Sequence, residues 1–227
     1  MANISVLLVD DHNIVRQGLK ALLTAETDIT VLAEAQTGRE AVQLAAKLHP
    51  EVVIMDLAMP LLNGWEATRQ IIKALPSAKV IILSTYETDE HIQQAIAAGA
   101  AAYLIKQTAS ADLVKAIREV RKGNAYFSPA IAQRLREQTC RSLAGDQPAS
   151  GAKVELTLRE AEVLQLIAEG FANKQIAAEL GLSVKTVEKH RQQVMNKLDI
   201  HDTAGLVRHA VAKGIIETNL AGVPQAT

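Results

Sequence analysis

Three carboxylates, a hydroxyl and an ammonium stand at the ends of short apolar runs in this chain, where ionisable groups need a reason. Asp10 and Asp11 directly follow the run 4–9, Asp56 interrupts VVIMDLAMP, Ser84 follows VIIL, and Lys106 follows AYLI. Crowded carboxylates raise one another's pKa or recruit a cation, and an all-oxygen set suits a hard, octahedral Mg2+ that keeps several waters. Lys106 adds a compact positive charge and Ser84 a hydroxyl. Such a group describes phosphoryl chemistry: a carboxylate nucleophile, a metal and a lysine to neutralise oxygens, and a hydroxyl to sense the product. Asp56, single and centrally placed, is the expected nucleophile. For any one Asp a turn or helix cap is the plainer account. Five polar groups from four run ends are harder to explain that way.

The elements that position them are legible as alternation. From residue 4 to 122, short β-branched runs at 4–9, 29–35, 52–55, 80–83 and 102–105 alternate with helix-period segments near 13–24, 39–48, 64–74, 89–98 and 110–122. Leu19, Leu22 and Leu23, or Val114, Ile117 and Val120, form apolar stripes at helical spacing. Pro50, Pro60, Pro76, Gly64, Gly99 and Gly123 fall at the boundaries. The pattern predicts an α/β fold: a flavodoxin-like, doubly wound, five-stranded parallel sheet of order 2-1-3-4-5 between two helical layers. In that order, ligands gather where strands one and three part, at their carboxyl ends, and all three carboxylates converge there.

Composition bounds the rest. The 227 residues exceed one average domain, and 48% hydrophobic with 22% charged is ordinary for a folded chain. Aromatics are only 3%, which argues against aromatic cages and base-stacking platforms. Cys140 is the single cysteine, so neither an internal disulfide nor a cysteine zinc site is available, and a reducing compartment is implied. The opening MANISVLLVDD has no basic region before an apolar run too short for a signal peptide or membrane span, which points to a cytoplasmic protein without membrane attachment. The six histidines show no metal spacing and read as surface or packing residues.

After residue 127 the alternation stops. A further amphipathic helix is expected at 131–141, and AGDQPASGA at 144–152 reads as a linker. Beyond it, Thr157 and Glu160 have capping-box spacing before a helix that stops at Gly170. Helices at 174–180, 184–198 and 203–213 follow, making the second domain all α. Charge is balanced overall, with 12 basic and 14 acidic residues over 1–127 and 12 and 11 over 128–227. It is concentrated locally: residues 184–198 carry Lys185, Lys189, Arg191 and Lys197 against Glu188 alone. A helix, a tight turn at GLS and a basic helix make helix-turn-helix spacing, with Lys185, Thr186 and Lys189 in the part that enters a major groove. Val187, Val194 and Leu198 fall on the opposite stripe, with Met195 beside them. A solvated surface face is the plainer account of basic charge alone.

Residues 4–122 resemble the receiver domain of two-component response regulators, matching it in VDD, MDLAMP, ST, GAAAYLIK and their spacing. The resemblance implies that Asp56 is phosphorylated by a sensor histidine kinase. It further implies Asp11 directly on Mg2+, Asp10 beside it, Asp56 itself at the metal and the carbonyl of Ala58 as a backbone ligand. Ser84, with Thr85 next to it, and Tyr103 would form the phosphate-sensing switch with Lys106. Gln107 stands where Pro often follows the lysine. LTLREAEVLQLIAEG, NKQIAAELGLS, TVEKH and NKL, across 156–216, resemble the LuxR-type DNA-binding domain of the NarL/FixJ subfamily. By that resemblance Glu188, Lys189 and Gln192 face bases of double-stranded DNA, and Asn173, Lys174, Lys185 and Thr186 face phosphates. Glu188 replaces a Lys common in relatives, so base preference should differ. Thr203, Leu206, Val207 and Ala210 would lie on a dimerising helix, and two copies would read half-sites about 10 bp or a multiple apart.

The implied organisation is a receiver at 1–124, a connector at 125–153, a DNA-binding domain at 154–219 and a tail at 220–227. The function expected is a phosphorylation-controlled transcription factor, homodimeric on DNA and working with RNA polymerase. Two alternatives compete with it: a Mg2+-dependent phosphatase or phosphotransfer enzyme, and a DNA binder that ignores phosphorylation. Against the enzyme, neither GxGxxG nor GxxxxGK[ST] occurs, and Ala58 stands where a general acid would.

Overall fold

A computed structural model describes residues 3–107, 109–128, 131–134, 136 and 156–216. The chain divides into two compact units, Met1–Glu155 and Leu156–Thr227. In the first, strands β1 (Ile4–Val9), β2 (Ile29–Ala35), β3 (Val52–Asp56), β4 (Lys79–Ser84) and β5 (Ala102–Ile105) alternate with helices. These are α1 (Asn13–Thr24), α2 (Gly38–Leu48), α3 (Gly64–Ala74), α4 (Asp89–Ala97) and α5 (Ala109–Arg121). The sheet order is β2-β1-β3-β4-β5-β6, with every pairing parallel.

The sixth strand corrects the five-stranded expectation. β6 (Tyr126–Phe127) pairs with β5 through Ala102↔Tyr126 and Tyr103↔Phe127. Two residues are too few to display a period of two, so the strand carries no sequence pattern of its own. It extends the edge without disturbing the 2-1-3-4-5 core.

Central and edge strands differ as their surroundings require. Every residue of β3 is buried, because helices cover both faces of a parallel sheet. Edge strand β2 is only partly buried, and a register shift opposite Val6 and Leu7 leaves Leu32 exposed. On one face Val6, Leu8, Ile54, Ile81, Leu83 and Leu104 form a core with Leu113, Ile117 and Val120 of α5. Alternate residues, including Leu7, Val53, Met55, Ile82 and Tyr103, are buried as well and belong to the other face.

The second unit holds α6 (Leu158–Ala168), α7 (Asn173–Leu180), α8 (Val184–Leu198) and α9 (Thr203–Ala212). The predicted capping box is present: Glu160 N–H donates to Thr157 Oγ1 and Thr157 N–H to Glu160 Oε2. Gly181, at φ 65°, ends α7 in the left-handed region where a side chain is disfavoured. Ser183 caps α8 by accepting from Thr186 N–H. Val163, Leu164, Ile167, Ile176, Val187 and Val194 close the core. Residues 131–134 and 136 are helical, as expected of the connector. The rest of that helix, Cys140, the linker 144–152 and the tail 220–227 lie outside the described residues. Among the described residues no helix is long and apolar enough to cross a membrane.

Candidate functional site

β1 and β3 deliver Asp10, Asp11 and Asp56 to one rim, and the turn after β5 delivers Lys106 to the same place. Lys106 Nζ is 2.9 Å from Asp10 Oδ2 and 2.8 Å from Asp56 Oδ2. Asp10 and Asp56 are buried, with 1% and 3% of their surface exposed, while Asp11 is half-buried. Ligand atoms of Asp10, Asp11, His12 and Asp56 all lie within 4.8 Å of one another. Asp56 Oδ1 accepts from Leu57 N–H at 2.7 Å, leaving Oδ2 toward the lysine. Burial pushes the Asp56 carboxyl up to about 7; Asp10 and Asp11 add to the rise and Lys106 opposes it. Burial also pulls the Lys106 ammonium down, but Asp56 and Asp10 outweigh it and leave its pKa above the usual value. Three carboxylates meet at this rim and one lysine pairs with two of them, so the donor set fits a divalent cation and oxygen coordination.

Two residues of this rim were not singled out by sequence reasoning. His12 has no metal spacing in the sequence and is expected at the surface or in packing, yet its Nδ1 is 2.7 Å from Asp11 Oδ1, inside the acidic cluster. Its adjacency to DD was the available signal. Arg16 of α1 is buried, donating to the Asp10 carbonyl at 2.8 Å and to Glu34 Oε2 at 3.1 Å. It pins the backbone that carries Asp10 to strand β2, and an arginine in an amphipathic helix gives no sign of that.

The β3–α3 loop is tightly drawn. Leu62 N–H donates to the Pro60 carbonyl at 2.8 Å across Leu61, whose φ of 68° is unfavourable for a branched side chain. Gly64 packs so closely that a Cβ there would lie 2.0 Å from the Asp56 carbonyl oxygen. Ala58, the expected backbone ligand, is buried in this loop.

Ser84 ends β4 and is buried, whereas neighbouring Thr85 is exposed. Ser84 Oγ accepts from Tyr86 N–H at 2.9 Å, and the Tyr103 hydroxyl donates to the Tyr86 carbonyl at 2.7 Å. Tyr103 is fully buried, and that burial pushes its hydroxyl up to about 12, with a Ser84 hydrogen bond opposing. Tyr86 thus joins the two switch candidates. Its ring stacks nearly parallel on His91 of α4 at 4.6 Å, and His91 stacks 5.5 Å from Trp65 of α3. Such a stack was not expected in a chain so poor in aromatic rings. Glu87, next along, offers its carbonyl to Arg134 of the connector segment.

In the second unit Lys174, Lys185, Glu188, Lys189 and Gln192 are exposed, and Asn173 and Thr186 half-buried. The basic charge of α8 is smaller at the surface than its composition suggests. Lys197 turns to the buried Glu160 at 2.7 Å, and Arg191 donates to Asn173 Oδ1 at 3.3 Å and Thr203 Oγ1 at 2.5 Å. The expected dimerising face also needs correction. Leu206 and Ala210 are fully buried in the core of the unit, while Thr203 is exposed and Val207 half-buried. A helix in a small bundle must spend its apolar stripe on its own core first.

Comparison with known proteins agrees with both halves. Residues 6–118 match the response regulator receiver domain, and residues 154–210 match the bacterial regulatory proteins of the luxR family. Transcriptional regulatory protein LiaR of Bacillus subtilis is 41% identical over 88% of this chain and 92% of its own. Response regulator protein VraR of Staphylococcus aureus is 35% identical over 94% and 99%. The RcsB response regulator of Salmonella typhimurium superposes with a TM-score of 0.61 at 28% identity, covering 94% of this chain and 99% of that one. A structure of two RcsB dimers bound to two parallel DNAs matches with a TM-score of 0.58 at 26% identity, covering 92% and 98%. With a paired-carboxylate pocket in one unit and a helix-turn-helix in the other, this chain belongs to the response regulators that join a receiver domain to a LuxR-type DNA-binding domain.

Proposed function

We propose that this chain is a DNA-binding transcriptional regulator of a two-component system, switched by phosphorylation of Asp56. A carboxylate oxygen of Asp56 attacks the phosphorus of a phosphohistidine on a sensor histidine kinase. The P–N bond breaks as the acyl phosphate P–O bond forms, and the imidazole takes up a proton. Lys106, already bonded to Asp56 Oδ2, is placed to follow a phosphoryl oxygen. Asp11 and Asp56, with the Ala58 carbonyl and Asp10 beside them, would hold Mg2+, which neutralises phosphoryl oxygens when bound. The observation that carries this reading is the single lysine shared by Asp10 and Asp56 at the mouth of a central strand.

Ser84, with Thr85 at its side, is within the segment that must respond, and Tyr103 reaches that segment through Tyr86. Phosphorylation biases an existing equilibrium of this loop and of α4 and β5. In the second unit Glu188, Lys189 and Gln192 read bases, while Asn173, Lys174, Lys185 and Thr186 hold phosphates. Two copies bind paired half-sites, a reading in keeping with the RcsB dimers bound to DNA, and Thr203 and Val207 lie on the helix that would pair them. The protein acts in the cytoplasm with RNA polymerase. Relatives such as LiaR are transcriptional regulatory proteins, which leaves the phosphatase alternative without support.

The test is DNA binding by the full chain to a site selected from random sequence, with and without Mg2+ and a small-molecule phosphodonor. Tighter binding after phosphorylation, abolished in Asp56→Asn, is expected. Equal binding in all samples would make it a phosphorylation-independent DNA binder.

A further inference from the structure

Arg191 lies halfway along α8 and uses both terminal nitrogens of its guanidinium, one on Asn173 and one on Thr203. These partners are the first residues of α7 and α9. One side chain therefore ties the helix with the base-facing positions to the start of each neighbour. A helix start carries partial positive charge, so a cation gains nothing there from helix dipoles. The two hydrogen bonds are what hold it.

The bond to Asn173 has a directional consequence. Guanidinium only donates, so the Asn173 amide must present its oxygen to Arg191. Its NH2 group then points the other way, and no described residue accepts from it. Without that constraint the amide could turn its oxygen outward and meet a phosphate with the wrong group. We propose that Arg191 is a positioning residue for DNA binding: it fixes Asn173 with its N–H donors outward for a backbone phosphate, while anchoring the start of α9 through Thr203. The proposal rests on the reading that this unit binds DNA with Asn173 at the phosphates, and it adds a residue that touches no DNA itself.

Acting through a neutral amide distinguishes this role from a direct phosphate contact. A side chain that neutralises a phosphate contributes to the salt dependence of binding by about one counterion; a neutral donor does not. The experiment measures affinity of the full chain for its selected DNA site at several salt concentrations, with Lys174→Ala as reference. Arg191→Gln is expected to weaken binding about three- to tenfold, the range of one hydrogen bond, with the salt slope unchanged. In an Asn173→Ala background the same substitution should have less than half that effect. Asn173→Asp keeps an acceptor for Arg191 but offers no donor to phosphate, and should weaken binding at least tenfold. It carries the test if Arg191→Gln fails to fold, since an acidic residue suits a helix start. A salt slope lowered by about one in Arg191→Gln, additive losses in the double variant, or unchanged binding by Asn173→Asp would each overturn the proposal. If Lys174→Ala behaves as a phosphate contact in the same series, that failure is confined to Arg191. Failure of the wild type to bind any DNA would instead remove the underlying reading.

Discussion

The Lys106 ammonium sits 2.8 Å from Asp56 Oδ2, so a buried carboxylate at the end of a central strand is held by a cation that also pairs with the Asp10 carboxylate. Burial still outweighs this pairing and raises the Asp56 carboxyl to about 7. The nucleophile is consequently harder to ionise than an exposed carboxyl, and a further positive charge favours its ionised form.

Two outcomes follow from that balance. With little Mg2+, the rate of Asp56 phosphorylation by a small-molecule donor should rise with pH through a midpoint near 7, because only the ionised carboxylate attacks. Saturating Mg2+ should move the midpoint lower. The stability effect has a definite sign. A raised carboxyl pKa means the folded form binds the proton more tightly, so the contribution of Asp56 to stability is lost as pH climbs from 3.8 toward 7. Asp56→Asn should therefore stabilise the fold at pH 8, by about 1 to 3 kcal/mol in denaturant unfolding. A flat rate profile, or an Asn variant no more stable than wild type, contradicts the assignment.

The Tyr103 hydroxyl donates to the Tyr86 carbonyl, and the Tyr86 ring stacks on His91, which stacks on Trp65. Trp65 is the only tryptophan of the chain. Its fluorescence should change when the phosphodonor is added with Mg2+, and Tyr103→Phe should reduce the change at a stability cost of about 1 kcal/mol. Phosphorylated protein with unaltered emission would disconnect the stack from the switch.

In the second unit, Glu160 is desolvated, yet Lys197 and Thr157 hold its pKa below the usual carboxylate value. A depressed pKa adds stability above about 4.5 and loses it as pH falls through the folded value. Hydrogen-exchange protection of α6 and α8 should therefore drop in mild acid, and Lys197→Met should lower it already at pH 7. Unchanged protection in the variant would mean that the pair does not hold α6 to α8.

Lys189 and Lys174 are both exposed but face different parts of the duplex in the proposed reading. Lys189→Ala should reduce discrimination between the selected site and random DNA. Lys174→Ala should weaken both about equally and flatten the salt dependence. Loss of the same size on random DNA in both variants would reverse these roles.

Much of this was legible in the sequence because the relevant signals are periodic or local. The strand ends carrying Asp10, Asp56, Ser84 and Lys106 follow from β-branched runs, and the topology then brings them together. Thr157 with Glu160, and Gly181 with Ser183, mark helix ends by chemistry that needs no tertiary context. What escaped depends on contacts between distant segments. Arg16 and Arg191 look like solvated cations until their partners at Glu34, Asn173 and Thr203 are in place. Leu206 and Ala210 have the apolar character of an interface, and only packing against the rest of the unit shows that its own core claims them. β6 is too short for any period, and the meeting of Trp65, His91 and Tyr86 joins three segments whose aromatic content is otherwise sparse.

A phosphoacceptor Asp56 becomes an acyl phosphate, and intact mass spectrometry of the full chain after incubation with Mg2+ and a small-molecule phosphodonor reads that product itself. One added phosphoryl group is expected on the wild type and none on Asp56→Asn. A phosphoryl group of equal occupancy on the Asn variant would contradict it.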